Sequence, residues 1–88
     1  MNAELEKSPQ VSAPERFACI LRQFTEGQPS KRLSDLSAGA GLPISTTHRL
    51  LKGLVDNKVL VRDEDGRYQV GPLMRAIADQ LEHADVAS

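Results

Sequence analysis

The strongest constraint on how this chain folds is a short break, Gly41-Leu42-Pro43, between two stretches of helical periodicity. Glycine takes the left-handed conformation at little cost and commonly ends a helix, and proline is tolerated where the next helix begins. The break therefore predicts one helix over about Leu33 to Ala40 and another from Pro43 onward, joined by a tight turn. Leu42 is expected to be a buried plug between them.

The helix after the break has two chemically different sides. Its apolar stripe consists of Thr47, Leu50, Leu51 and Leu54, with Val55 and Ile44 at the edges. On a helical wheel of about 100° per residue, the opposite side carries Ser45, His48, Arg49 and Lys52, and Thr46 falls near the border. Such a polar cluster is either an ordinary solvated face or a contact surface.

The remaining pattern predicts a helix before this pair and a hairpin and helix after it. Ser12 and Glu15 have the spacing of a capping box, and an amphipathic stretch follows as far as Gly27. Two strand-like runs, VLVR and RYQV, flank the turn sequence DEDG. Gly71-Pro72 ends the second run, and helical spacing then continues to about Ala84.

Three helices and a hairpin in this order predict a winged helix-turn-helix, mostly α with a small β-hairpin, followed by a linker helix. In that fold the second helix braces the third and presents it to the major groove of DNA. We expect a flexible leader over residues 1–11, a winged helix-turn-helix domain over 12–72, and a linker or dimerisation helix and tail over 73–88.

Composition excludes several classes of protein. Cys19 is the only cysteine, so the chain has no internal disulfide or cysteine-based zinc site, and a cytoplasmic location is expected. The polar N-terminus is not a signal peptide, and no apolar run approaches the length of a membrane span. The net charge is only −1, but between residues 30 and 72 seven basic side chains stand against five acidic ones. This mildly basic centre is compatible with a weak phosphate footprint.

Three stretches together closely resemble the N-terminal DNA-binding domain of IclR-type bacterial transcription regulators. They read ERFACILRQFTEG, LSDLSAGAGLPISTTHRLLKGLV and LVRDEDGRYQVGP, and the resemblance covers about residues 15–84. The run GLP-x-ST-x-HRLL and the ending DGRYQVGP are distinctive in combination. The resemblance implies a homodimeric repressor or activator on a short pseudo-palindromic operator. It also implies a larger C-terminal domain that senses a small molecule and is absent from this chain, which would make the chain a fragment.

Four residues depart from the family pattern. Thr47 replaces a small aliphatic residue, Ile44 replaces a basic or polar residue and removes one possible phosphate contact, and Arg32 replaces the usual serine cap of the second helix. Lys58 stands where a helix-ending glycine is frequent. We expect Asn57 to take the left-handed conformation in its stead.

The candidate DNA-binding residues lie on the third helix and beside the hairpin turn: Ser45, Thr46, His48, Arg49, Lys52, Arg62 and Arg67. The hydroxyls would bond phosphates or base edges, Arg49 would pair with phosphate or guanine, and His48 could do either. At the flank of the hairpin, Arg62 or Arg67 would contact phosphate or the minor groove. The alternative for the two hairpin arginines is pairing with the acids of the turn, which is worth little in water. The three acids at the tip argue against deep insertion of the wing into a groove.

Neither an enzyme nor a metal protein is expected. His48 and His83 are far apart and have no further ligand at suitable spacing, and no nucleophile motif is present, so no cofactor is predicted. The fourth helix carries Leu73, Met74, Ile77 and Leu81 on one stripe, which either covers the domain's own core or, as we favour, pairs two subunits. The rival to DNA binding is a winged helix that contacts only another protein. Another winged-helix regulator family would keep DNA binding but change the effector and the dimer.

Overall fold

The computed structural model describes residues 12–87, with side chains as far as residue 84. Its helices are α1 (Ala13–Arg22), a short 3-10 helix (Gln23–Thr25), α2 (Leu33–Ala40), α3 (Ile44–Asp56) and α4 (Pro72–Ala87), and its strands are β1 (Leu60–Arg62) and β2 (Tyr68–Val70). The predicted fold, a winged helix-turn-helix followed by a further helix, is confirmed. The predicted leader over residues 1–11 lies outside the described residues.

The capping box predicted at the start of α1 is present. The Ser12 hydroxyl accepts a hydrogen bond from the Glu15 N–H at 3.4 Å, and the Glu15 carboxylate accepts one from the Ser12 N–H at 3.1 Å. Pro14 lies in the first turn, where its missing N–H costs no helical hydrogen bond. These local contacts fix where the helix begins.

The turn between α2 and α3 is closed by hydrogen bonds in both directions. Gly41 is left-handed, with φ 67°, and the Leu42 N–H donates to the Ser37 carbonyl at 3.1 Å. The Ser37 hydroxyl, which is buried, donates back to the Leu42 carbonyl at 2.6 Å. Leu42 is half-buried, so the prediction of a buried plug is wrong. The buried residue of the turn is Ser37, which is bonded to the backbone of Leu42.

The core draws one or two residues from almost every element. Its buried hydrophobic residues are Ile20, Leu36, Leu51, Leu54, Leu60 and Tyr68. On α3 the fully buried leucine is Leu51, whereas Leu50 is half-buried at the edge of the core. Thr47 is also fully buried, and its hydroxyl donates to the Pro43 carbonyl at 3.0 Å, so the polar group in the core has a partner.

The end of α3 differs from the prediction. Lys58 is left-handed, with φ 68°, whereas Asn57 has φ −99°, so the expectation that Asn57 takes this role is wrong. The Lys58 N–H donates to the Val55 carbonyl and the Val59 N–H to the Leu54 carbonyl, the paired bonds of a Schellman motif. This pairing requires the left-handed residue to follow Asn57. The Asn57 side chain caps the helix differently, by donating to the Gly53 carbonyl at 2.8 Å.

The wing is a two-stranded antiparallel hairpin in which Leu60 pairs with Val70 and Arg62 with Tyr68. It is shorter than the predicted runs, since Val59 and Arg67 lie outside the strands. Lys31 adds an antiparallel bridge that the sequence pattern did not predict. Its N–H and carbonyl exchange hydrogen bonds of 2.9 and 2.8 Å with Tyr68, and these bonds hold the wing against the segment before α2.

The start of α4 packs against the segment that follows α3 and leads into β1. Gly71 is buried, and a Cβ there would lie 2.7 Å from the Lys58 carbonyl oxygen, so only glycine fits without movement. The Leu73 N–H donates to that same carbonyl at 3.0 Å. The stripe predicted on α4 does not cover the domain's core, since Leu73, Ile77 and Leu81 are 44%, 47% and 62% exposed.

We expect Lys58→Gly to raise the melting temperature. A left-handed conformation costs a non-glycine residue about 1–2 kcal/mol, and glycine removes this cost. Part of the gain in folding free energy is lost again, because glycine also has more conformational freedom in the unfolded chain. A net gain of about 0.5–1 kcal/mol would raise the melting temperature by several degrees in a domain of this size. Thermal unfolding followed by circular dichroism measures it, with Asn57→Gly as the control that should lower the melting temperature. A lower melting temperature for Lys58→Gly would contradict the assignment of strain to Lys58.

Candidate nucleic-acid interface

The outward side of α3 carries most of the predicted binding residues. Ser45, His48, Arg49 and Lys52 are exposed, and Thr46 is half-buried at the border, as its place on the helical wheel predicted. Pro43 precedes the helix and makes no side-chain hydrogen bond to its first turn. The first backbone N–H groups of α3 are therefore open to an outside acceptor, at the end where the helix dipole is positive.

A concave cleft of about 270 Å³ lies between α3 and the wing. His48, Lys52 and Val55 line it from the helix, and Arg62 and Tyr68 line it from the hairpin. Three nitrogen-bearing side chains, those of His48, Lys52 and Arg62, thus converge from two elements on a cleft that Val55 and the Tyr68 ring also line. The shape and the donors fit an anionic group such as a phosphate.

The two cations of the cleft are held differently. Lys52 makes a 3.2 Å ion pair with Asp56, one helical turn later, and both side chains are mostly exposed. Such surface pairs contribute little to stability, so Lys52 can exchange Asp56 for another anion. The Arg62 guanidinium lies 5.4 Å from the centre of the Tyr68 ring, and its Nε donates to the Gly66 carbonyl at 3.3 Å. These two contacts, with the Tyr68 ring and with the Gly66 carbonyl, restrict the position of the Arg62 guanidinium group.

The turn of the wing is organised by Asp63. Its carboxylate accepts hydrogen bonds from the backbone N–H groups of Asp65 and Arg67, each 2.9 Å long, and from the Gln69 amide at 3.2 Å. These bonds, above all the one from the Arg67 N–H, lower the pKa of Asp63 below its ordinary value, against a smaller opposing effect of desolvation. Glu64 and Asp65 remain exposed at the tip and make it acidic.

The predicted residues therefore fall into three groups. His48, Lys52 and Arg62 meet in the cleft, whereas Ser45, Thr46 and Arg49 lie on α3 outside it. Arg67 is half-buried and does not line the cleft. Sequence reasoning missed Tyr68 and Val55 as lining residues, because their apolar character indicated only core. Only the cross-strand pairing of Arg62 with Tyr68 would have revealed the contact, and that pairing depends on the register of the hairpin.

Neither a clustered metal site nor a membrane-spanning helix is found in the described part of the chain. Between residues 12 and 87 no group of three His, Cys, Asp or Glu side chains is placed to hold a metal ion. None of the helices in that range combines the length and apolarity needed to cross a membrane.

Comparison with known proteins identifies relatives of this fold. The family model of the IclR helix-turn-helix domain matches residues 13–64. No curated protein matches the chain at a significant level.

Several solved structures are similar over most of the chain. An IclR-family transcriptional regulator from Rhodococcus sp. is 28% identical over 84% of this chain and 31% of its own, with a TM-score of 0.72. The Agobacterium tumefaciens repressor BlcR is 27% identical over 83% of this chain and 29% of its own, with a TM-score of 0.70. An IclR homolog from Microbacterium hydrocarbonoxydans, solved with 4-hydroxybenzoate, is 29% identical over 75% of this chain and 28% of its own, with a TM-score of 0.71. The chain thus spans less than a third of the length of each of these three structures.

We expect the stability of the wing to depend on the charge of Asp63. Because its pKa is lowered in the folded state, the stabilisation is complete above the unfolded-state pKa of about 4 and is lost as the pH falls through the folded-state value. Asp63→Asn should melt below the parent at pH 7, and the difference should shrink as the pH falls towards 2. Melting curves between pH 2 and 7 measure this, with Glu64→Gln as a neighbouring control. Equal melting temperatures at pH 7 would contradict the role of Asp63.

Proposed function

The chain belongs to the IclR family of transcription regulators, and from this premise we propose that its residues 12–72 bind operator DNA through α3 and the wing. The observation that carries the proposal is the arrangement of α3. A closed turn braces it against α2, its first turn is open to acceptors, and its polar side faces away from the core. These are the features a helix needs to enter a major groove with its N-terminal end.

The two hydroxyl residues of the first turn are proposed to contact phosphates or base edges. Ser45 is exposed and Thr46 half-buried, and both lie at the end of α3 where free N–H groups already favour an anion. Their hydroxyls add donors there without adding charge. This suits a chain whose net charge is slightly negative.

Arg49 is proposed to hold a phosphate. It lies one turn after Ser45 on the exposed side of α3, outside the cleft, and it brings a full charge on a planar guanidinium group. The resemblance to IclR-type regulators favours phosphate over guanine as its partner, on the premise that these regulators have different operators. A phosphate contact contributes to affinity for every DNA sequence alike.

The cleft is proposed as a second phosphate seat, used by His48, Lys52 and Arg62. Lys52 would leave Asp56 when a phosphate enters, and Arg62 is already aimed by Tyr68 and the Gly66 carbonyl. The acidic tip of the wing would be repelled by the DNA backbone and would stay outside the groove. Arg67, beside the tip, is proposed to contact a flanking phosphate.

The exposed stripe on α4 is proposed to pair two subunits, together with α1, on a pseudo-palindromic operator. Leu73, Ile77 and Leu81 are more exposed than a helix that covers its own core would leave them. The solved relative with 4-hydroxybenzoate supports control by a small molecule in the whole regulator. We propose that such an effector acts through a further domain outside these 88 residues, and that the regulator works in the cytoplasm and is not an enzyme.

The charge of the chain supports one rival function. A net charge of −1 is unusual for a nucleic-acid binder and suits a winged helix whose outward α3 face contacts another protein. The two functions differ in salt dependence, because DNA binding releases counterions and weakens steeply as salt rises. A protein-binding module would not bind DNA at any salt concentration.

We expect Arg49→Ala to weaken binding to operator and scrambled DNA equally. One lost phosphate contact should flatten the slope of log K against log salt by about 1, as measured by fluorescence anisotropy at several salt concentrations. The operator is first selected from a random duplex library with the unaltered protein. Arg22→Ala, which removes an exposed arginine from the end of α1, is the matched control and should leave the slope unchanged.

Each other outcome has a definite meaning. A loss confined to the operator would show that Arg49 reads a base, and no loss on either DNA would show that this side of α3 does not meet DNA. Failure of the unaltered protein to bind any DNA would refute the proposed function.

We expect the domain to self-associate weakly through the stripe on α4. Sedimentation velocity at high protein concentration should show some dimer, and Ile77→Asp should abolish it, because a carboxylate would be buried at the contact. Arg75→Asp introduces the same group on the opposite side of α4 and should leave the dimer intact. A strict monomer, both free and on an operator carrying both half-sites, would contradict the pairing.

A further inference from the structure

Ile44, the first residue of α3, is a large apolar side chain that the fold leaves open. It is 49% exposed, whereas Thr47 and Leu51 on the same helix are fully buried. It is not among the hydrophobic residues that pack against the core. The position also gains nothing from a β-branched residue, since alanine has the higher helix propensity. Ile44 is therefore free to contact another molecule without any loss of core packing.

The surroundings of Ile44 belong to the proposed DNA interface. At about 100° per residue, Ile44 falls on the same side of α3 as His48 and Val55, which line the cleft towards the wing. Ser45 and Thr46 follow it directly in the first turn. In helix-turn-helix complexes the N-terminal residues of the recognition helix are the ones that reach base edges. Ile44 is the first residue of that segment, directly ahead of Ser45 and Thr46.

We propose that Ile44 determines operator specificity by an apolar contact with the C5-methyl group of a thymine, an inference that rests on the proposed DNA-binding function. An isoleucine side chain offers no hydrogen-bond donor or acceptor. Against a phosphate, or against the polar edge of guanine or adenine, it would only remove water without replacing the lost hydrogen bonds. Thymine presents a methyl group in the major groove, where an aliphatic side chain gains affinity by excluding water.

Replacement of thymine by deoxyuridine tests the contact, because uracil pairs with adenine as thymine does but lacks the methyl group. An operator is selected from a random duplex library with the unaltered protein, and each thymine is then replaced singly by deoxyuridine. Affinity is measured by fluorescence anisotropy for the unaltered protein, Ile44→Ala and Ile44→Val. Val61→Ala removes another exposed aliphatic side chain, from the wing, and is the control. Circular dichroism melting confirms that each variant folds.

At one thymine of each half-site, deoxyuridine should weaken binding of the unaltered protein about fourfold, as expected for the burial of one methyl group. Ile44→Ala should lose about as much on the thymine duplex and nothing further on the deoxyuridine duplex. Ile44→Val should keep most of the difference, and Val61→Ala should keep all of it at that position. This coupling between one side chain and one methyl group supports the proposal.

Three outcomes would overturn it. The first is that the unaltered protein binds every deoxyuridine duplex as tightly as the thymine duplex. The second is that Ile44→Ala stays as sensitive to the missing methyl group as the unaltered protein. The third is that the library yields no preferred sequence although DNA is bound. In all three the DNA-binding function stands and Ile44 reads no thymine. If no DNA is bound at any salt concentration, the proposed function itself fails and this inference fails with it.

Discussion

The rest of the structure depends on the hydrogen-bonded turn between α2 and α3. Gly41 reverses the chain in a conformation that other residues adopt only at a cost, and Ser37 and Leu42 then bond to each other in both directions. These local bonds alone restrict the angle between the two helices, independently of the core contacts. Leu36 and Leu51 can then meet in the core from either side, and the polar side of α3 is left facing outward.

The domain presents few charges to its proposed partner and arranges them closely. Lys52 forms an ion pair with Asp56, the Arg62 guanidinium lies over the Tyr68 ring, and the tip of the wing is acidic. With so little net attraction, long-range steering by the field of the whole domain is weak. Under the proposed function, affinity would come from short-range contacts, namely the open N–H groups of α3, the hydroxyls beside them and the cleft. Short-range contacts of this kind depend strongly on the position and orientation of α3. The hydrogen-bonded turn between α2 and α3 holds that position.

Much of the fold could be predicted because its signals are local. The capping box at Ser12 and Glu15, the bounds of α2 and the left-handed Gly41 each depend on residues a few positions apart. The failures have two different causes. The left-handed residue is Lys58 rather than Asn57 because the Schellman bonds from Lys58 and Val59 require it at that position, whereas the bridge from Lys31 to Tyr68 joins segments 37 positions apart. The residues of the candidate interface on α3 were predicted from periodicity, but the cleft with Tyr68 required the register of the hairpin.

The contact between Gly71 and Lys58 ties the start of α4 to the residues that directly follow α3. The carbonyl of Lys58 receives the N–H of Leu73, and the backbone of Gly71 lies too close to it for even a methyl group to intervene. At 1.5 Å per residue, the 16 residues of α4 extend about 24 Å from this contact. Under the proposed function, a small rotation of α4 imposed at its far end would reach the residues that follow α3 through backbone contacts, and would alter the angle at which α3 meets a groove.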